Sequence, residues 1–170
     1  MSDTRSVDPA SMAQEVRQQP DGPGLRIGKR AEVILFGKVV PGGEKLYRER
    51  IGKFQAEAAY WEERVGTVHD FRILMFDDDT RLLFLITYDG DFKPYVVDII
   101  RGAGQWFDDF MPGIWEGFIS ADHPSTVDLV LAGAMPADFF YVSNPELTVR
   151  DISRMKKLSR AFGEVLDAAG

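Results

Sequence analysis

Between Thr67 and Asp91 the chain reads TVHDFRILMFDDDTRLLFLITYDGD, two runs of large apolar residues interrupted by an acidic turn. Side chains alternate along a strand, so residues opposed in an antiparallel pair share a face. With a two- or four-residue turn over Asp77 to Thr80, Phe76 stands opposite Arg81, Ile73 opposite Phe84, Phe71 opposite Ile86 and His69 opposite Tyr88. One face then carries Phe71, Ile73, Met75, Leu82, Phe84 and Ile86 without a break and ends at His69 and Tyr88. The other mixes Leu74, Phe76, Leu83 and Leu85 with Asp70, Arg72, Arg81, Thr87 and Asp89. A sheet with one side in water shows a plainly polar face. Here both faces need cover. A three-residue turn would exchange the faces of one strand.

Elsewhere the pattern predicts four more elements with clear periods. AEVILFGKVV from Ala31 is a strand rich in β-formers, ended by Pro41-Gly42-Gly43. A helix follows from about Glu44 to Arg64, with Tyr47, Ile51, Phe54, Ala58 and Trp61 at three- and four-residue steps. After the hairpin, Asp91 can cap a helix starting at Phe92, with Pro94 in the first turn where its missing N–H costs little. Phe92, Tyr95, Val96, Ile99 and Ile100 form its buried stripe. The last helix opens on Thr148 and Asp151, a capping-box pair with Asp in place of Glu, and carries Ile152, Met155, Leu158 or Ser159, Phe162 and Leu166 along one side.

The remaining segments read less regularly. Residues 1 to 28 are polar and broken by Pro9, Pro20 and Pro23, which predicts a flexible tail with at most a short helix over Ser11 to Gln18. Gly102 and Gly104 weaken the second helix, so Gln105 to Ser120 is expected to be an irregular or short-helical insertion covering a pocket. Thr126 to Ala134 makes a short helix, and Ala137 to Val142 a final strand. Strand, helix, strand, strand, helix, strand and closing helix describe a single α+β domain over residues 29–170. The expected architecture is βαββαβ plus a C-terminal helix, a ferredoxin-like four-stranded antiparallel sheet with two helices on one face. Its open face would be covered by a second copy in a homodimer, or by the C-terminal helix acting as a lid.

Composition narrows the classes of partner. The 170 residues suit one domain with a sizeable core, and 45% hydrophobic content with 12% aromatic is that of a globular chain. Twenty basic against 27 acidic residues leave a net charge of -7, which argues against general nucleic-acid binding. There is no cysteine, so disulfides, thiolate metal sites and Cys nucleophiles are excluded. No apolar leader and no run of membrane-spanning length occurs, and a cytoplasmic protein without membrane contact is expected.

The residues His69-x-x-Arg72, Leu82-Leu83-Phe84, Tyr88-Asp89-Gly90, Phe139 to Tyr141 and Leu147-Thr148-Val149-x-Asp151-Ile152 resemble a group of uncharacterised proteins of ferredoxin-like, dimeric α+β barrel character. The resemblance covers most of the chain beyond residue 65. The wider barrel superfamily holds haem enzymes, cofactor-free monooxygenases and plain binders of small molecules, so the resemblance implies small-molecule binding, with oxidoreductase chemistry and haem as options. It carries over no catalytic residue.

Candidate chemistry gathers on the hairpin. Arg72, if covered, needs a carboxylate: either a structural partner in Asp70 or Asp89, or the acidic group of a small hydrophobic ligand held in bidentate fashion. His69 reads as an edge histidine bonded to backbone or Tyr88, or as a proton shuttle or haem ligand, with Asp70 and Tyr88 as further proton carriers. Thr87, Asp89, Trp106, Trp115 and Tyr141 complete the expected ligand-binding set around a pocket on the open sheet face. Two histidines and no cysteine make a metal site improbable, and Asp77-Asp78-Asp79 reads as a solvated turn. The competing reading is a non-catalytic dimerisation or interaction module whose mixed face is simply an interface.

Overall fold

A computed structural model describes residues 13–169 of the chain. It is a mixed α+β fold with a six-stranded antiparallel sheet and four helices among the described residues. In chain order these are β1 (Arg17–Gln18), β2 (Leu25–Ile27), β3 (Arg30–Lys38), α1 (Gly43–Val65), β4 (Val68–Phe76), β5 (Arg81–Asp89), α2 (Phe92–Phe110), α3 (Thr126–Gly133), β6 (Ala134–Met135) and α4 (Val149–Ala169). Across the sheet the order is β1-β2-β3-β5-β4, with β6 also paired to β3.

The β4–β5 hairpin has the expected register from Phe71↔Ile86 through Ile73↔Phe84 to Phe76↔Arg81, closed by the four-residue turn Asp77 to Thr80. All three turn aspartates take positive φ, a conformation Asp tolerates better than most residues. One pairing differs. Val68, rather than His69, faces Tyr88, because an irregularity between Val68 and Asp70 inserts one extra residue.

Alternation along β3, β4 and β5 sorts the sheet into the two faces read from the sequence. Val33 pairs with Ile86 and Leu35 with Phe84 on the inner face, which α1 and α2 cover. Ile34, Phe36, Leu74, Phe76, Leu83 and Leu85 lie on the outer face together with Asp70, Arg72 and Thr87. Phe54 of α1 is sandwiched between Trp106, stacked at 3.7 Å, and Phe110 at 4.3 Å. Trp106 Nε1 donates to the Phe54 carbonyl at 3.1 Å, so this buried indole keeps a partner.

Three segments depart from expectation. First, α2 continues through Phe110 instead of giving way to an irregular insertion at Gln105. A Cβ at Gly102 would lie 2.9 Å from Val65 Cγ2, and one at Gly104 3.0 Å from the Ala121 methyl. Those glycines let α1 and the 121 segment approach α2 closely, and the contact outweighs their poor helix propensity. Second, Ala137 to Val142 forms no strand; the only pairing after α3 is the two-residue β6 against Ile34 and Leu35. Phe139 and Tyr141 are left 82% and 64% exposed.

Third, part of the expected N-terminal tail is structural. Residues 17–18 and 25–27 add two strands at the β3 edge, while residues 1–12, with the start of the expected 11–18 helix, lie outside the described residues. Asp21, between those strands, accepts the Phe92 and Lys93 amides at 2.9 Å each. It therefore caps α2 in place of Asp91, whose carboxylate instead meets Arg26.

Candidate functional site

The space between the inner sheet face and the two covering helices is not filled. A cavity of about 710 Å3 runs between Val33, Leu35, Phe84 and Ile86 on the sheet and the facing sides of α1 and α2. That volume lies in the range of small-molecule sites, which run from roughly 300 to 1,000 Å3. Exposed residues Gln55, Ala59, Asp70 and Arg72 also line it, which places its mouth between α1 and β4, the free edge of the sheet. The cavity thus lies on the helix-covered face, opposite the open face where the sequence placed a pocket.

Two of the polar groups lining it sit near the end of α1. Trp61 Nε1 and Glu62 Oε1 are buried without a hydrogen-bond partner, and both residues line the cavity. Orphaned buried groups of this kind require a physical explanation, since most find partners. Burial pushes the Glu62 carboxyl above the usual range, with Glu63 adding to the effect while His69 and Lys156 oppose it. Desolvation alone also raises the Tyr47 phenol, another lining residue.

His69 lines the same cavity, its side chain only 8% exposed. Its Nε2 lies 2.7 Å from Asp89 Oδ1. A carboxylate can only accept, so Nε2 carries the proton and Nδ1 is left for a second partner. The other Asp89 oxygen accepts the Val149 amide at 2.7 Å. One buried carboxylate therefore orients the histidine and holds the first residue of α4. The capping box forms as expected: Thr148 N donates to Asp151 Oδ2 at 3.1 Å and Asp151 N to Thr148 Oγ1 at 3.1 Å.

Of the residues singled out from sequence, His69 and Asp89 come together and Trp106 and Trp115 line the cavity. Arg72 also reaches its mouth, but its Nε donates to Asp70 Oδ1 at 2.7 Å and both side chains are about half exposed or more. Thr87 sits on the outer face opposite Asp70. Tyr88 is fully buried away from the cavity, stacked on Tyr95 at 3.9 Å, its hydroxyl accepting from Gln19 Nε2 at 3.2 Å. Burial first, then Asp21 and Glu32, push that phenol upward. Tyr141 is exposed and is not among the residues lining the cavity. Glu62 was missed, although it falls four residues after Ala58 and eight after Phe54, on the apolar stripe.

Arg72 is the one Lys or Arg among the residues lining the cavity, and its guanidinium is already on Asp70. The two propionates of a haem find no free cation there, and the residues present do not fit that group. No cluster of three or more His, Asp or Glu suited to a metal ion occurs among the described residues. No helix among them is long and apolar enough to cross a membrane. The chain matches no protein-family model, no curated protein and no solved structure.

Proposed function

We propose that the chain is a binding protein for a small, largely apolar molecule carrying one neutral polar group, held in the cavity between the inner sheet face and α1 and α2. The observation that carries this reading is the pair of orphaned groups among the residues of a mostly apolar cavity: Trp61 Nε1 wants an acceptor and Glu62 Oε1 a donor. A hydroxyl supplies both. His69, oriented by Asp89, lines the same cavity. A second reading keeps Arg72 as the anchor of an acidic ligand, since Arg72 lies at the mouth. The ferredoxin-like arrangement is supported by the strand order β6-β3-β5-β4, with the two-residue β6 in the place of a fourth strand. A homodimer is supported by the bare apolar residues of the outer face.

The test uses N-phenyl-1-naphthylamine, a neutral fluorophore that brightens in apolar sites. It should bind, and decanol should displace it better than decanoate. Ala58→Phe, which adds a ring to the cavity wall, should abolish binding while the fold survives. No brightening in the wild type, or undiminished binding in Ala58→Phe, would overturn the reading. Decanoate displacing better than decanol, with the advantage lost in Arg72→Leu, would establish the acidic-ligand reading instead.

A further inference from the structure

Away from the cavity, three guanidinium groups share one small cleft. Gly102 prepares it: lacking a Cβ, it lets α2 lie against Val65, and an added Cβ would stand 2.9 Å from Val65 Cγ2. Arg64 and Arg101 immediately precede those two residues in sequence, so the close approach of α1 and α2 brings both to the same groove. The third comes from α4, whose root is fixed by the Asp89–Val149 bond and the Thr148–Asp151 box. Arg150 follows directly, its Nε 3.8 Å from where a Cβ on Gly66, the C-cap of α1, would stand. The result is a cleft of about 420 Å3 lined by Arg64, Val65, Asp98, Arg101, Gly102 and Arg150. All four charged residues are exposed, so it opens to solvent.

Three cations to one anion reverses the balance of a chain with 27 acidic and 20 basic residues. Elsewhere arginines use that acidic surplus: Arg17, Arg26, Arg48, Arg72 and Arg81 each sit on a carboxylate. Among the described residues, Arg64, Arg101 and Arg150 form no ion pair of this kind, not even with Asp98, three residues before Arg101 on the same helix. Arg64 is also held in place. Its Nε donates to the Gly102 carbonyl at 3.2 Å, and its Cζ lies 5.7 Å from each of the Tyr60 and Trp61 rings. Like charges gathered from three helices repel one another, and an anion between them relieves the repulsion.

We infer that this cleft binds a phosphate dianion, free or carried by a small organic monoester. Charge selects the ligand. Three Arg and one Asp leave +2 in the cleft, which a carboxylate half neutralises and a phosphate monoester, at about -1.5 to -2, balances. Shape selects it too. Each guanidinium is a planar fork of donors, and three of them outnumber the two oxygens of a carboxylate but suit the three terminal oxygens of a phosphate monoester. Val65 is the one residue lining both this cleft and the apolar cavity, so the inference does not depend on what the cavity holds.

Isothermal titration calorimetry of the full chain with phenyl phosphate at about pH 8, where the dianion predominates, should show one saturable site that survives physiological salt. Arg101→Gln and Arg150→Gln, both at exposed positions, should each weaken binding about tenfold or more with far-ultraviolet dichroism unchanged. Asp98→Asn, which removes the one repelling charge, should tighten it. Phenyl sulfate, similar in shape with one charge fewer, and benzoate should both bind about tenfold more weakly than phenyl phosphate. Inorganic phosphate binding at least as tightly as phenyl phosphate would make the free ion the ligand, and tighter phenyl phosphate an organic monoester; either upholds the site. An absence of saturable heat, its loss at physiological salt, parity of phenyl sulfate with phenyl phosphate, or full affinity in both Arg variants would overturn it. Binding of N-phenyl-1-naphthylamine should persist in Arg101→Gln, which separates this test from that of the cavity.

Discussion

Replacing Asp89 by Ala removes the acceptor for both His69 Nε2 and the Val149 amide. Each is a hydrogen bond to a charged group, for which a net contribution of about 1.5–3 kcal/mol is typical. The His69 and Asp89 side chains are 8% and 9% exposed, so water cannot easily replace the carboxylate at the histidine. At the helix start it can, because capping losses usually run from about 0.5 to 2 kcal/mol. Together these place the cost of Asp89→Ala at about 3 kcal/mol, which in a chain of this size lowers Tm by about 6–12 °C. Urea unfolding gives the free energy, and amide exchange at Val149 and Arg150 reports separately on the root of α4.

Asp89→Asn sharpens the test. Its amide oxygen can still accept the Val149 amide, while its NH2 must donate to the histidine and so forces the proton to Nδ1. The expected loss is about half that of Ala, with α4 exchange unchanged and the His69 ring nitrogens exchanging roles in nitrogen-15 spectra. If Asp89→Ala unfolds within about 0.5 kcal/mol of wild type and the first α4 amides stay protected, the shared-carboxylate argument is wrong.

Three further outcomes are expected. Because burial raises the Glu62 carboxyl pKa in the fold, the folded state holds that proton more tightly than the unfolded chain. Its contribution to stability is therefore greatest in acid and declines as pH rises from the ordinary Glu range through the raised folded value. Glu62→Gln should match wild type in acid and melt higher at neutral pH; a pH-independent difference in Tm would refute this. Asp21→Ala, which strips the cap from α2, should cost about 1–2 kcal/mol by urea titration, whereas a true tail residue would cost nothing. Arg72→Leu breaks only a solvent-exposed pair, so stability should stay within about 0.5 kcal/mol in denaturant titrations, and a loss above 2 kcal/mol would show the pair to be structural.

What was legible in the sequence was whatever local rules decide. The hairpin register followed from alternation and a four-residue acidic turn, α1 from its stripe, and the start of α4 from its capping pair. What escaped was decided by distant contacts. Nothing near Gly102 announces that Val65 will lie against it, and no propensity rule says that the three aromatics from Phe139 to Tyr141 will find no ladder. The edge of β3 they would have joined is already taken by β2 and β6. Likewise Asp21 caps a helix 71 residues away in sequence, a pairing that no window of sequence contains.

The cavity escaped for a related reason. Counting faces showed that both sides of the ribbon are apolar, and the mixed face drew attention because it held charges. Yet the guanidinium that drew it, Arg72, is paired with Asp70 at the surface. On the uniformly greasy face a shortfall of packing, rather than any motif, opens the cavity, and packing is a sum over three elements that sequence periodicity cannot perform. The one polar hint was Glu62 falling in register with Phe54 and Ala58, a carboxyl where the stripe demands an apolar side chain. A charged residue on a buried stripe is costly unless it is paired or protonated. Burial pushes Glu62 toward the protonated form, and Oε1 still lacks a partner, which is the condition a bound hydroxyl would relieve.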